Sequence, residues 1–237
     1  MEVHRPKAPI HNLRELAKEI GTIVIGVLIA LAAEQTVEWL HWRERAAQAE
    51  AGMRQDATVI LGTMVERQEI QACQDRLLVR IRDRLLASGP DWAPMAAFYT
   101  RGPPKGSIYA HPMKPWPETA WRNAVASTAA THMPDAKLAH FSRIFAAAER
   151  AAQDQAIEHE AASELNMLDQ RLTLTPDGKL ALLRIISAER ARNRLFAYEA
   201  NNTSGDFTAL GFNIDEVRAH ERATSLAYAM CVEGGLI

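Results

Sequence analysis

Four groups of residues have the types and spacings that could do chemistry. Glu34, Glu38 and His41 place two carboxylates and an imidazole along one side of a helix, in a Glu-x-x-x-Glu-x-x-His order. Carboxylate-bridged metal sites use Glu-x-x-His, but they need a second copy on a facing helix. None is evident, since Glu216 and His220 are four apart and stand alone. Hydrogen bonding at an interface is the plainer reading of the first group. Glu158, His159 and Glu160 lack the second histidine of a zinc-protease helix, and Asp154 and Glu164 make that stretch read as a solvated acidic face. No Gly-rich phosphate loop, Ser-nucleophile elbow, Ser-x-x-Lys or Cys-x-x-Cys occurs. No catalytic residue, cofactor or metal ligand is therefore assigned, and the sequence leans away from an enzyme. A site assembled from scattered residues stays open.

The fourth group is the pair Cys73 and Cys231, the two cysteines of the chain. Both fall on apolar helix faces, so they can be buried free thiols, or can bridge if the domain faces an oxidising compartment and the last helix returns alongside the first.

The elements that must position these groups hang from one apolar run, Ile20 to Ala33, bracketed by Glu19 and Glu34. At about 1.5 Å per residue the run covers only about 21 Å of a hydrocarbon core about 30 Å thick. A continuing helix closes the gap, with Leu16 and Ala17 joining at one end and Val37, Trp39 and Leu40 at the other. Trp39, His41, Trp42, Arg43 and Arg45 then form an amphipathic cationic belt suited to a membrane interface. The rival is a cleaved secretory signal, because Ala30-Leu31-Ala32 before Ala33 has the small-x-small form a signal peptidase accepts. Against it stand the carboxylates Glu2, Glu15 and Glu19 ahead of the core and a helical pattern that runs past Glu34. Arg5, Lys7, Arg14 and Lys18 precede the span and Arg43, Arg45 and Arg54 follow it, a small bias toward a cytoplasmic N-terminus. Within the run, Thr22, Gly26, Ala30 and Ala33 repeat small residues on one face, a candidate packing surface for a second copy of the helix.

The run Ile23 to Leu31, followed by Ala33-Glu34-Gln35 and Trp39, resembles the opening of a group of uncharacterised bacterial single-pass membrane proteins, many of them alphaproteobacterial. A segment similar to Thr119-Ala120-Trp121, with small residues through Ser127 and long helices after it, recurs in that group. The resemblance implies an N-terminal anchor and a helical C-terminal domain, and carries over no catalytic residue.

The 237 residues are 48% hydrophobic with a net charge of −2, enough for one anchored domain with a core and without the basic footprint a nucleic acid would need. Sparse aromatics, abundant Ala and little β-branched alternation predict helices. Residues 1–11 read as a disordered tail, 12–42 as the anchor helix and its belt, and 43–237 as the helical domain. The first helix is predicted from Leu13 to Leu86 without a strong breaker. Along its distal part Met53, Ala57, Ile60, Met64, Ile70, Cys73, Leu77, Ile81 and Leu85 form one apolar seam. A short helix is expected at Trp92 to Tyr99, then further helices from Pro117, from Pro134 to Leu172, from Pro176 to about Ala200, and from Ile214 to Cys231. Buried positions expected on them include Val125, Ile157, Leu180, Leu195 and Leu226.

Residues 101–117 contain five prolines and two glycines and cannot be regular helix or central strand. The segment is a Pro-stiffened surface connection or a partner-binding loop presenting Arg101, Lys105, Tyr109, His111, Lys114 and Trp116. The expected fold class is all-α, an N-terminal transmembrane helix continuing into an elongated, mostly antiparallel helical bundle. The expected role is a non-enzymatic module in the bacterial inner membrane, with its N-terminus cytoplasmic and its domain periplasmic, binding a protein or envelope component, with a second copy of the chain as a further candidate partner. The alternative is a periplasmic small-ligand binder or enzyme released by cleavage after Ala32.

Overall fold

The computed structural model describes residues 13–101 and 106–237, and the expected tail at 1–11 lies outside them. The architecture is all-α. Among the described residues there are six α-helices: α1 (Leu13–Ala87), α2 (Thr119–Ala126), α3 (Asp135–Asn166), α4 (Pro176–Ala209), α5 (Ile214–Thr224) and α6 (Leu226–Glu233). The strands β1 (Asp91–Trp92) and β2 (Leu172–Thr173) form one two-residue antiparallel pair. The chain divides into a unit ending at Gln48 and a compact unit, Ala49–Ile237.

The first unit is the N-terminal part of α1. It is long and apolar enough to cross a membrane, and no part of its apolar window is covered by protein. Ile23, Leu28, Ile29 and Val37 are 59 to 67% exposed. The two hydroxyls in this stretch donate back to their own helix, Thr22 to the Lys18 carbonyl at 2.9 Å and Thr36 to the Ala32 carbonyl at 2.7 Å, so neither needs water. The guanidinium groups of Arg43 and Arg45 lie over the rings of Trp39 and Trp42, each 5.3 Å from the centroid.

In the second unit the predicted seam is the core-facing line of α1, from Met53 through Leu85, and every member is at most 3% exposed. Bonds between the helices fix their directions. Arg143, Arg150 and Arg192 pair with Asp206, Glu199 and Asp154, so α3 and α4 are antiparallel. Gln68 with Asn201 and Asp75 with Arg190 make α1 and α4 antiparallel. Lys137 with Glu50 and Glu158 with Arg67 make α3 parallel to α1. The last segment also runs with α1, since Ser225 bonds Glu66 and Cys231 is disulfide-bonded to Cys73. The bundle is thus mixed in direction, and the cause lies in the segment after α1.

The described residues of that segment lack the short helix expected at 92–99. It returns along α1 as an extended strap. The Trp92 ring packs under Arg84, Tyr99 Oη and the Ala110 carbonyl accept from Gln74, the Pro112 carbonyl accepts from Arg67, and the Ala120 amide donates to Asp56. Bringing the chain back to the start of the domain lets α3 set out parallel to α1. Prolines suit residues 112–117 of the strap, which pair with no strand and so have no ladder for their amides, because Pro has no amide to satisfy.

Three helix ends differ from their sequence expectation. Helix α3 stops at Asn166 and a 3-10 turn, Met167–Asp169, follows. Helix α4 continues to Ala209 through Asn201 to Gly205, because Thr203, Asp206 and Phe207 are buried there and Thr203, Ser204 and Thr208 return their hydroxyls to α4 carbonyls. The last helix breaks at Ser225, whose hydroxyl caps α6 at the Tyr228 amide. The expected core residues Val125, Ile157, Leu180, Leu195 and Leu226 are exposed by 40% or more. On α4 the buried line is Ile186, Glu189, Asn193, Phe196, Ala200, Thr203 and Phe207, an unbroken three-four spacing in which three members are polar. A search for apolar periodicity misses such a face.

Candidate functional site

The middle of the domain is organised by one cation. Arg67 is on the buried seam of α1, in the interval between Met64 and Ile70. Its Nη1 donates to both oxygens of Glu158 on α3, at 2.8 and 2.6 Å. Its Nη2 donates to the Pro112 carbonyl and to Gln155 Oε1, each at 3.1 Å. The guanidinium plane lies 4.2 Å from the centroid of Phe196 on α4, and Phe196 in turn stacks on Trp116, whose indole donates to Gln155. One side chain therefore joins α1, the strap, α3 and α4. The reading of Glu158 as part of a solvated face is corrected: it is 1% exposed, because 158 continues the buried line of α3 from Phe141 through Ala151 to Ala162 and Leu165.

His111 lies against this pair. Its Nδ1 is 3.3 Å from Glu158 Oε2 and 3.3 Å from the Pro112 carbonyl, and burial pushes its pKa below the usual histidine value, favouring the neutral ring. Its ring meets that of His159 edge to face, with centroids 5.8 Å apart. Both rings line an open cavity of about 340 Å3 together with Ala110, Met113, Ala162, Ser163 and Asn166. The Asn166 side chain is committed to the strap, accepting from the Ile108 and Tyr109 amides and donating to the Tyr109 carbonyl.

Two further charged groups flank the centre. On α4, burial raises Glu189 to a pKa of about 7 even though it accepts from Arg192. Toward α5, the Lys114 ammonium lies 2.5 Å from Glu221 and 3.3 Å from Glu66, which also accepts from Ser225. Gly62 lies beneath it, and a Cβ there would stand 2.9 Å from the Glu221 carboxylate, which would have to shift. A separate groove of about 590 Å3 opens between α1, α4 and α5, with Leu61, Met64 and Val65 as an apolar floor, Phe212 beside it and Gln68 and Arg218 at the rim.

Chemically, the Arg67–Glu158 pair is a clamp. Its side chains are 3% and 1% exposed, so the pair is shielded from solvent. The groove has the apolar floor and polar margin of a recognition surface.

The residues singled out from the sequence are distributed as follows. Tyr109 and His111 are buried, Trp116 is half-buried on Phe196, Lys114 is held by two carboxylates, and Arg101 is an exposed partner of Glu233. Lys105 lies outside the described residues. Most of the strap's aromatic and basic side chains thus face its own domain. Cys73 and Cys231 are brought together as a disulfide, with Cα atoms 5.7 Å apart in the core. Thr22, Gly26, Ala30 and Ala33 share an open face of α1, and a Cβ added at Gly26 would meet nothing within 4 Å. Among the described residues, no three His, Cys, Asp or Glu side chains gather as a metal cage. Sequence reasoning missed Arg67, Gln74 and Glu158 as a unit. The one signal for the strap's burial was the apolar stretch Ile108-Tyr109-Ala110 inside the Pro-rich segment. No known family, curated protein or solved structure matches the chain.

Proposed function

We propose that this chain is a non-enzymatic module of the bacterial inner membrane, anchored by the N-terminal part of α1, whose domain binds a protein or envelope component in the periplasm. The observation that carries the reading is the apolar run from Ile20 to Ala33, exposed around the whole helix, whereas α1 from Met53 onward buries an apolar seam. A helix apolar on all sides and uncovered by protein is stable only in an apolar solvent. The Trp–Arg belt at 39–45 fits the interface where that solvent ends. A disulfide in the core supports an oxidising compartment for the domain. The groove between α1, α4 and α5 supports recognition, because it joins apolar floor and hydrogen-bonding rim on a face the strap leaves uncovered.

Site-specific photocrosslinking in native membranes tests the binding role. A photoreactive residue at Thr208, in the groove, is expected to give a discrete adduct that the same residue at the exposed position Asp83 does not. Equal adducts from both positions, or none from either, contradict the assignment of the groove.

A further inference from the structure

We propose that His111, His159 and Met113 form a binding site for a single Cu(I) ion. The inference rests on the domain alone and does not depend on the membrane reading. The histidine that residues 158–160 lack along their own helix is supplied by the strap, which brings His111 beside His159 with ring centroids 5.8 Å apart. A metal-bound imidazole nitrogen sits about 2.0–2.1 Å from the ion, which puts its ring centre about 3.2 Å away. Two rings sharing one ion at a trigonal or tetrahedral angle therefore lie about 5–6 Å apart, the spacing found here.

The surroundings of His111 are built as a metal ligand's would be. Its Nδ1 faces two acceptors, the Pro112 carbonyl and Glu158 Oε2, which favour the tautomer with hydrogen on Nδ1 and leave the Nε2 lone pair for a ligand. Glu158 is itself fixed by both bonds from Arg67, so the carboxylate that orients the imidazole cannot swing away. The strap carbonyl, the carboxylate and the arginine give His111 a rigid support. His159 and Met113 are exposed and able to adjust, and the unbranched thioether adapts easily to an ion.

The donor set selects the metal. The residues lining the cavity include His111, His159 and Met113 but no Asp, Glu or Cys. Asn166 is spent on the strap, and the Ser163 hydroxyl donates to the His159 carbonyl. Two imidazoles and a thioether are too soft a set for calcium or magnesium and lack the further anionic or imidazole ligand that zinc takes, whereas Cu(I) accepts three-coordinate nitrogen and sulfur. The largely apolar walls disfavour the more highly charged Cu(II).

The test is a competition titration of the full-length protein in detergent micelles with Cu(I) held by a colourless-to-coloured chelator, under ascorbate so that the disulfide stays closed. The native chain is expected to withdraw one equivalent of Cu(I). His159→Ala and Met113→Leu, both at exposed positions, are expected to weaken binding by about tenfold or more while circular dichroism stays unchanged. X-ray absorption of the loaded native protein is expected to show nitrogen and sulfur scatterers, and loaded Met113→Leu to lack the sulfur. No withdrawal of Cu(I), unchanged affinity in either variant, or no sulfur scatterer in the native protein overturns the proposal.

Discussion

Helix α1 contains two apolar regions that obey different rules. From Ile20 to Leu40 the large apolar side chains point in every direction and are about half exposed or more, whereas from Met53 to Leu85 they occupy one seam and are almost wholly covered. The backbone is the same continuous helix in both. A helix that packs on a folded domain needs one apolar stripe, whereas a helix that crosses a lipid phase, as we propose for the first region, needs the whole circumference. Pattern width, more than hydrophobicity, separates an anchor from a core helix.

Changes in each region should therefore produce opposite readouts. Ile25→Arg with Leu28→Arg puts two charges into the uncovered run, each costing about 2.5–3.5 kcal/mol at the centre of a bilayer. Membrane retention should be lost while the thermal transition of the domain stays unchanged. Unaltered retention would detach the run from the anchoring role.

Within the domain, Arg67→Ala should have the largest effect. It leaves Glu158 buried without its cation, a loss of about 3–5 kcal/mol. Replacing both partners by apolar residues, Arg67→Met with Glu158→Leu, should recover a large part of that in denaturant titrations. A double variant no more stable than the single one would show that the remaining partners of Arg67, Gln155 and the strap carbonyl, hold the clamp.

Ile81→Ala removes a fully buried side chain from the seam and should cost about 2–5 kcal/mol without altering membrane retention. The same substitution in the uncovered run, Ile29→Ala, should leave the domain's stability untouched. Similar losses of domain stability at both positions would erase the distinction between the regions.

The smallest expected effect is a pH dependence. Burial holds Glu189 at a pKa of about 7, above the 4.5 of an unburied glutamate, so the folded state binds this proton more tightly than the unfolded state. That contribution is complete below about pH 4.5 and is lost as pH rises through about 7. Glu189→Gln keeps the neutral shape at all pH values. Its stability relative to the native chain should rise between about pH 5 and pH 8, by on the order of 1 kcal/mol after screening by Arg192. A difference that does not change with pH would place the carboxylate in contact with solvent.

Much of the helical framework was legible because it depends on local rules. The first helix lacks breakers, its distal seam keeps helical spacing, and the Thr175–Pro176 pair starts α4 with a hydroxyl accepting from the Gly178 amide. The site was less legible. Glu158 and Arg67 are 91 positions apart, and each alone looks like an ordinary surface charge. Glu189, Asn193 and Thr203 interrupt the apolar spacing of α4 even though they face inward. The strap's prolines carry the same signature whether the segment lies on the surface or beneath a neighbour. Burial of polar groups is decided by partners distant in sequence, and a single-sequence pattern contains no record of them.

Anchoring requires α1 to remain intact and lipid-embedded, and alkaline carbonate extraction of bacterial membranes followed by N-terminal analysis of the chain tests this directly. The expected result is a chain that stays in the membrane pellet with the residues before Ala33 still attached. A soluble product beginning at Ala33 would contradict it and make the apolar run a cleaved signal.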